Sequence, residues 1–249
     1  MKCYNHHMQV DYNQLGSFQQ FISSKVSDGA LTLFHQNIRS LNANFLSFDH
    51  FLGLMKAKID LIILGECWMQ NIEMYANALQ GYKLVHSNQR NKSGGLSVFY
   101  LEDRINIIDV STDVLNGCDC LSLTFSCGIL KQATLLAVYR SPSENPLIFI
   151  NSLTSYVSQH LDSSLFVLVG DFNICRKKQS SDKNSELFYD NMLEFGMMPL
   201  IDTITRPSKH KIDSGSIIDQ IFTNFDSIIA YSDIKYGNVD VDITDHKLQ

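Results

Sequence analysis

Leu165-Phe-Val-Leu-Val-Gly-Asp-Phe-Asn173 is the most informative stretch of this 249-residue chain. Its first five residues form an unbroken apolar run, the pattern of a strand buried on both faces of a sheet. Gly170 ends the run, and Asp171 and Asn173 follow at once. A polar group at that point is held by a rigid element and still reaches solvent, which is where a catalytic side chain is best placed. Taken alone, Asp171-Phe172-Asn173 reads equally well as an Asx turn leading out of the strand.

The same arrangement recurs along the chain. Residues 31–37 read as a strand ending in Asn37, and Asp60-Leu-Ile-Ile-Leu64 as a doubly buried strand with Glu66 two residues beyond it. Residues 134–139 form a strand ending in Tyr139, with Arg140 next. Asp219 interrupts the apolar run Ile217-Ile-Asp-Gln-Ile-Phe222, and Asp245 and His246 come near the end of the sequence. Further strands are expected at 82–86, 96–100, 105–110, 120–125, 216–223 and 228–234. Phe45, Phe48, Leu52 and Met55 fall at helical spacing. So do Ile150, Leu153, Val157 and Leu161, behind a proline at 146 that suits a first helical turn. A weaker third helix is expected over 186–195. Many strands with few helices suggest two packed sheets flanked by helices. Residues 1–29 read as an extension, in which Leu15, Phe18 and Ile22 line a short amphipathic segment weakened by Gly16.

Composition narrows the class. The chain is 45% hydrophobic and 18% charged, which suits a packed core and argues against global disorder. No window approaches eighteen consecutive apolar residues, so no membrane-spanning helix is expected. The polar start has no apolar stretch of the kind that marks a secretory signal. The net charge of −6, from 20 basic and 26 acidic residues, is not that of a general DNA binder. It is compatible with a nucleic-acid enzyme, because a carboxylate-rich metal site counts as negative until its cation binds. The six cysteines include no Cys-x-x-Cys pair and read as reduced thiols of an intracellular protein.

Each polar residue has an ordinary explanation when taken singly. Glu66 suits a solvated loop, Asn37 a turn, Tyr139 a strand-end aromatic and His246 an exposed histidine. Asp219 is harder to dismiss, because a carboxylate among Ile and Phe is costly to bury unless it is paired. The ordered set Asn37, Glu66, Tyr139, Asp171-x-Asn173, Asp219, Asp245-His246 is far more specific, and it resembles the endonuclease/exonuclease/phosphatase superfamily. The local words His35-Gln-Asn-Ile-Arg-Ser-Leu41, Val138-Tyr-Arg-Ser-Pro142, Gly170-Asp-Phe-Asn173, Ile218-Asp-Gln-Ile-Phe-Thr-Asn224 and Thr244-Asp-His246 are similar to the apurinic/apyrimidinic-type endonuclease domain of non-LTR (LINE-type) retrotransposons. The resemblance spans roughly residues 31–246.

This resemblance implies an α/β, DNase I-like four-layer sandwich over residues 30–249. It implies a Mg²⁺-dependent DNA endonuclease, with Mn²⁺ as a substitute, whose nick leaves a 3′-hydroxyl; the alternatives are another phosphoesterase of the same fold or a catalytically inactive remnant of a mobile element. It implies Glu66 as principal metal ligand, with Asn37 and Asp245 assisting, a donor set suited to a hard cation. Asp171 would orient or deprotonate the attacking water, Asn173 would position it, and Tyr139 would donate to the phosphate or leaving group. His246 would pair with Asp219 and act on the water or the phosphoryl oxygens. Arg140 is a candidate phosphate contact or a surface ion pair. Residues 203–216, with Arg206, Lys209, His210 and Lys211, are expected to form a surface hairpin or loop near DNA. A monomer acting in the nucleus is expected.

The sequence also departs from the family. Arg39 stands where some relatives carry an acidic metal-site residue. Thr244 replaces a frequent serine but keeps its hydroxyl. Family members continue beyond His246 with a closing strand, so the Asp245-His246 pair is expected to be weakly anchored here. No reverse transcriptase region is expected within these 249 residues.

Overall fold

The structure, a computed structural model, describes residues 30–55, 58–68, 71–128, 130–161, 164–209, 214–224, 234, 236–241 and 243–249. The expected extension over 1–29 lies outside the described residues.

Four strands form one sheet. β1 (Leu33–Asn37) runs parallel to β2 (Leu61–Gly65), and β2 pairs antiparallel with β4 (Leu96–Leu101), which pairs with β3 (Tyr82–His86). The larger sheet has the order β5-β6-β7-β8-β12-β9. Its strands are β5 (Asn106–Thr112), β6 (Asp119–Cys127), β7 (Leu130–Tyr139), β8 (Leu165–Asp171), β9 (Met198–Pro199) and β12 (Asp219–Thr223). β7 and β8 are parallel, and the other pairs are antiparallel. A small hairpin joins β10 (Arg206–Pro207) to β11 (Gly215–Ser216).

The two-residue period of the strands explains why their apolar runs are continuous. In β2, Leu61 and Ile63 point between the sheets, whereas Ile62 and Leu64 point to the outer face. In β7, Leu135 and Ala137 face inward, and Leu136 and Val138 outward. Helix α1 (Leu41–Met55) covers the outside of the smaller sheet with Phe45, Phe48, Phe51 and Met55. Helices α2 (Pro146–His160) and α3 (Lys183–Glu194) cover the larger sheet with Phe149, Ile150, Leu153, Phe188 and Met192. The result is the expected helix–sheet–sheet–helix sandwich. Burying one such Leu, Ile or Phe side chain contributes about 1.5–3 kcal/mol.

Helix starts follow local chemistry. The Asn145 side chain caps α2 by accepting from Leu147 N–H at 2.9 Å, with Pro146 in the first turn. Asp182 caps α3 by accepting from Ser185 N–H at 2.8 Å, so this helix begins before the expected residue 186. Gly170 lies beside Val138 of β7. Its φ is +151°, and a Cβ there would stand 1.8 Å from the Val138 carbonyl oxygen.

The expected strand over 216–223 is two elements. Gly215–Ser216 belongs to the hairpin and Asp219–Thr223 to the large sheet, because Ile217 and Ile218 carry the chain from one to the other. Of the strand expected over 228–234, residues 228–233 lie outside the described residues, and Ile234 is in no strand.

The weakly anchored end is not found. Gln249 exchanges two backbone hydrogen bonds of 2.9 Å with His35 in β1, and Val239 and Leu248 exchange two more. The His35 imidazole Nδ1 also meets Gln249 Oε1 at 2.7 Å. These bonds hold the segment carrying His246 against the edge of the smaller sheet. No described helix is long and apolar enough to cross a membrane.

Candidate active site

Strand register builds the floor of the site. Asp119 in β6 pairs with Tyr139, Tyr139 with Asp171, and Asp171 with Asp219. These four residues form one row across the end of the large sheet. Tyr139 belongs to the inter-sheet core, as do Val169 two residues before Asp171 and Ile221 two residues after Asp219. The row therefore faces the space between the sheets. Asn37, at the end of β1, and Glu66, just past β2, bring the smaller sheet's contribution.

The loops around this end hold unusual backbone. Arg39 (φ 48°), Ser40 (φ 88°), Glu66 (φ 52°), Trp68 (φ 50°) and Asn173 (φ 48°) all adopt left-handed conformations. Such strain gathers at functional sites, where surrounding contacts over-determine it. Here the contacts are explicit: Ser40 N–H donates to Glu66 O at 2.7 Å, and Trp68 N–H to Gly94 O at 2.9 Å.

Asn37 ties the two sheets together. Its Nδ2 donates to Glu66 Oε1 at 2.8 Å and to Asp171 Oδ2 at 3.0 Å. Its Oδ1 is buried without a protein partner. The Tyr139 hydroxyl hydrogen-bonds Glu66; burial above all, then the Glu66 and Asp171 charges, drives its pKa well up. Asp171 accepts at Oδ1 from Asn173 N–H at 3.0 Å. Burial, reinforced by the Asp219 charge, pushes its carboxyl up to about 7. The Asn173 side chain donates back to Arg140 O at 2.8 Å.

The histidine pair is formed. His246 Nδ1 lies 2.9 Å and 3.1 Å from the two Asp219 oxygens, and both residues are buried. Burial works to lower the His246 pKa, but the Asp219 carboxylate outweighs it and raises the imidazole to about 9. Burial works to raise Asp219, and the His246 charge outweighs that and lowers it. Thr244 orients the histidine: its hydroxyl accepts from His246 N–H at 3.1 Å and donates to Asn37 O at 2.9 Å. Asp171, Asp219 and His246 offer ligand atoms within 4.8 Å of one another. With Nδ1 of His246 committed to Asp219, we read this trio as an ion-paired cluster.

Arg140 and Asp245 have partners that the sequence did not announce. Arg140 is buried against backbone carbonyls and is not in a surface ion pair. It is 4% exposed, and its guanidinium donates to the carbonyls of Phe172, Ser141, Glu144 and Asn173. It clamps the Asp171–Asn173 turn. Asp245 is bound on both oxygens by arginines, Oδ1 by Arg39 Nη1 at 2.6 Å and Oδ2 by Arg206 at 3.2 Å. Burial works to raise Asp245, and the two arginines outweigh it and lower it. Arg39 Nε also lies 3.8 Å from Glu66 Oε2.

Sequence reading missed Asp119, Arg206 as the second partner of Asp245, and Thr205. Asp119 is buried and accepts from Arg90 N–H at 2.8 Å and Gly95 N–H at 2.7 Å, anchoring the basic loop beside Glu66. An aspartate opening an apolar strand was the available signal. Thr205 Oγ1 accepts from Asp219 N–H at 3.2 Å.

The donor set suits a divalent cation. Glu66 and Asp245 are hard carboxylates that still reach solvent, with side chains 14% and 17% exposed, and the Arg39 guanidinium approaches both. The orphaned Asn37 Oδ1 is a further oxygen able to serve, directly or through water.

The cluster has a pH signature in EDTA. Asp171 and His246 both have raised folded-state pKa values, so the stability each contributes is full below its unfolded value and is lost as pH rises. For Asp171 that window runs from 3.8 to about 7, and for His246 from 6.5 to about 9. The melting temperature should therefore fall between about pH 6 and pH 9. The fall should be shallower in Asp171→Asn and in His246→Gln. Thermal melts across that range check this, and an identical slope in all three proteins would contradict it.

Residues 133–246 match a family model described as endonuclease-reverse transcriptase. No curated protein sequence matches the chain. Among solved structures, the chain is similar to an endonuclease/exonuclease/phosphatase family protein from Bacteroides thetaiotaomicron. The TM-score is 0.64 at 13% identity, over 88% of this chain and 92% of that one. It is similar to the endonuclease domain of TRAS1, a telomere-specific non-LTR retrotransposon, with a TM-score of 0.65 at 14% identity, over 87% and 94%. It is also similar to an AP endonuclease from Archaeoglobus fulgidus, with a TM-score of 0.61 at 17% identity, over 78% and 87%. Structural likeness at these identities speaks for the fold, and the family match adds the sequence of the half that carries Tyr139, Asp171, Asn173, Asp219 and His246. The chain therefore has the fold of the endonuclease/exonuclease/phosphatase proteins, and residues 133–246 are similar in sequence to the endonuclease-reverse transcriptase family.

Proposed function

We propose that this chain is a metal-dependent DNA endonuclease of the retrotransposon type, hydrolysing a phosphodiester to leave a 3′-hydroxyl from which a reverse transcriptase could extend. One observation carries the reading. Asn37, Glu66, Tyr139, Asp171, Asn173 and the Asp219–His246 pair, drawn from both sheets, meet at one end of the inter-sheet space. The retrotransposon-like local words and the match of residues 133–246 to an endonuclease-reverse transcriptase family model support this branch over others with the same fold.

A Mg²⁺ or Mn²⁺ ion held by Glu66, with Asn37 and Asp245, would polarise the phosphoryl group and offset its charge. The protein's own groups do the rest. Asp171, with a carboxyl near 7, is tuned to take the proton of an attacking water at neutral pH. Asn173 fixes that carboxylate through its backbone N–H. His246 is protonated at neutral pH and its Nδ1 is committed to Asp219, so it serves the phosphoryl oxygens as a donor through Nε2. Of its two implied roles, this favours the second. Tyr139 keeps its proton and donates to the phosphate or the leaving oxygen. We further propose DNA as the partner, a monomer as the working form and the nucleus as its place of action.

Nicking of supercoiled plasmid tests the reading. Nicks should accumulate with Mg²⁺, stop in EDTA, and present 3′ ends that a DNA polymerase extends without prior treatment. Release of phosphate from soluble monoesters with no nicking would make the chain a phosphatase instead, an activity named for a Bacteroides thetaiotaomicron protein of the same fold.

A further inference from the structure

Arg39 stands between the two carboxylates on which the proposed metal site depends. Its Nη1 is 2.6 Å from Asp245 Oδ1, and its Nε is 3.8 Å from Glu66 Oε2. The remaining oxygens are engaged elsewhere, Glu66 Oε1 by Asn37 and Asp245 Oδ2 by Arg206. One guanidinium thus approaches one oxygen of each carboxylate, Glu66 Oε2 and Asp245 Oδ1.

The backbone fixes this placement. Arg39 has φ 48°, and bonds on both sides hold it: Ile38 N–H donates to Gly65 O, Ser40 N–H to Glu66 O, and Asn44 Nδ2 to Arg39 O. The loop bearing Arg39 is therefore bonded to the loop bearing Glu66. The arginine side chain itself is 39% exposed and long enough to swing into solvent. A guanidinium and a divalent ion cannot share the space between two carboxylates, because like charges at such distances repel strongly.

We infer that Arg39 is a built-in counter-ion holding the cation position between Glu66 and Asp245, so that a divalent ion binds by exchanging with its guanidinium. This rests on the metal site proposed above. The exchange keeps the two carboxylates neutralised in the metal-free protein and weakens the net affinity for metal.

Titration of Mn²⁺ into metal-free protein, followed by calorimetry, tests the exchange. The proteins compared are wild type, Arg39→Gly, Arg39→Gln and, as a reference for the site, Glu66→Gln. Glycine accepts the left-handed backbone, and glutamine keeps most of the stem, so one variant serves if the other fails to fold. Removing a positive charge this close should tighten Mn²⁺ binding about tenfold or more. In EDTA the uncharged variants should melt below wild type, and Mn²⁺ should raise their melting temperature by more. Equal or weaker Mn²⁺ binding in a folded Arg39 variant overturns the exchange alone. Wild-type binding no tighter than that of Glu66→Gln overturns the metal site, and the exchange with it.

Discussion

Glu66→Gln is expected to remove nicking by about a hundredfold or more while the fold persists. A metal's contribution to transition-state charge is several kcal/mol, and each 1.36 kcal/mol is tenfold in rate, so losing the principal ligand costs at least about two powers of ten. The substitution keeps an amide oxygen to accept from Asn37, whose bond to Glu66 Oε1 is 2.8 Å. Two electrostatic effects then oppose each other in the metal-free protein. The ion pair with Arg39 at 3.8 Å is lost, and the repulsion that Glu66 adds at Asp171 is relieved. Melting temperature in EDTA should accordingly change by only a few degrees. Nicking rates at limiting and saturating Mg²⁺, measured beside thermal melts, separate the outcomes. Wild-type rates at low Mg²⁺ would remove Glu66 from the principal-ligand role.

Asp219→Asn is expected to lower turnover by about 10²–10⁴-fold with little loss of DNA binding. The amide keeps an oxygen near Nδ1 but withdraws the negative charge that holds His246 at about 9. His246 then loses its proton at neutral pH, and with it the donor proposed for the phosphoryl oxygens. His246→Ala should be impaired to a similar degree, and the double variant hardly more, because residues acting as one unit are not additive. Single-turnover nicking on one substrate, with the His246 titration followed by NMR, checks both halves of the argument. If the two losses multiply in the double variant, the pair does not act as a unit. An unmoved His246 pKa in Asp219→Asn would show that other groups hold its charge.

The sequence by itself determined the layers. Apolar runs such as Leu61–Gly65 and Leu165–Asp171 demanded cover on both faces, and the helical spacing of Phe45, Phe48 and Met55 supplied one cover. Those signals are local, fixed by a period of two or 3.6 residues. The kinds of residue at the strand ends were also legible, because their ordered set along the chain is far more specific than any one of them, each of which has an ordinary structural explanation. Strand register then placed Tyr139, Asp171 and Asp219 side by side.

Tertiary structure decided the partners. Arg39 and Asp245 are 206 residues apart in sequence and 2.6 Å apart in space, a pairing no periodicity announces. Arg140 looked free to meet a phosphate, but the turn at Asp171–Asn173 folds its carbonyls around the guanidinium and uses it structurally. His246 looked loosely held near the end of the sequence, and it is fixed because Gln249 pairs with β1 and Thr244 bonds across to Asn37. Charges and hydrogen bonds act over a few ångströms without regard to chain position. The composition of the site could therefore be read residue by residue, while its wiring existed only once both sheets had closed on it.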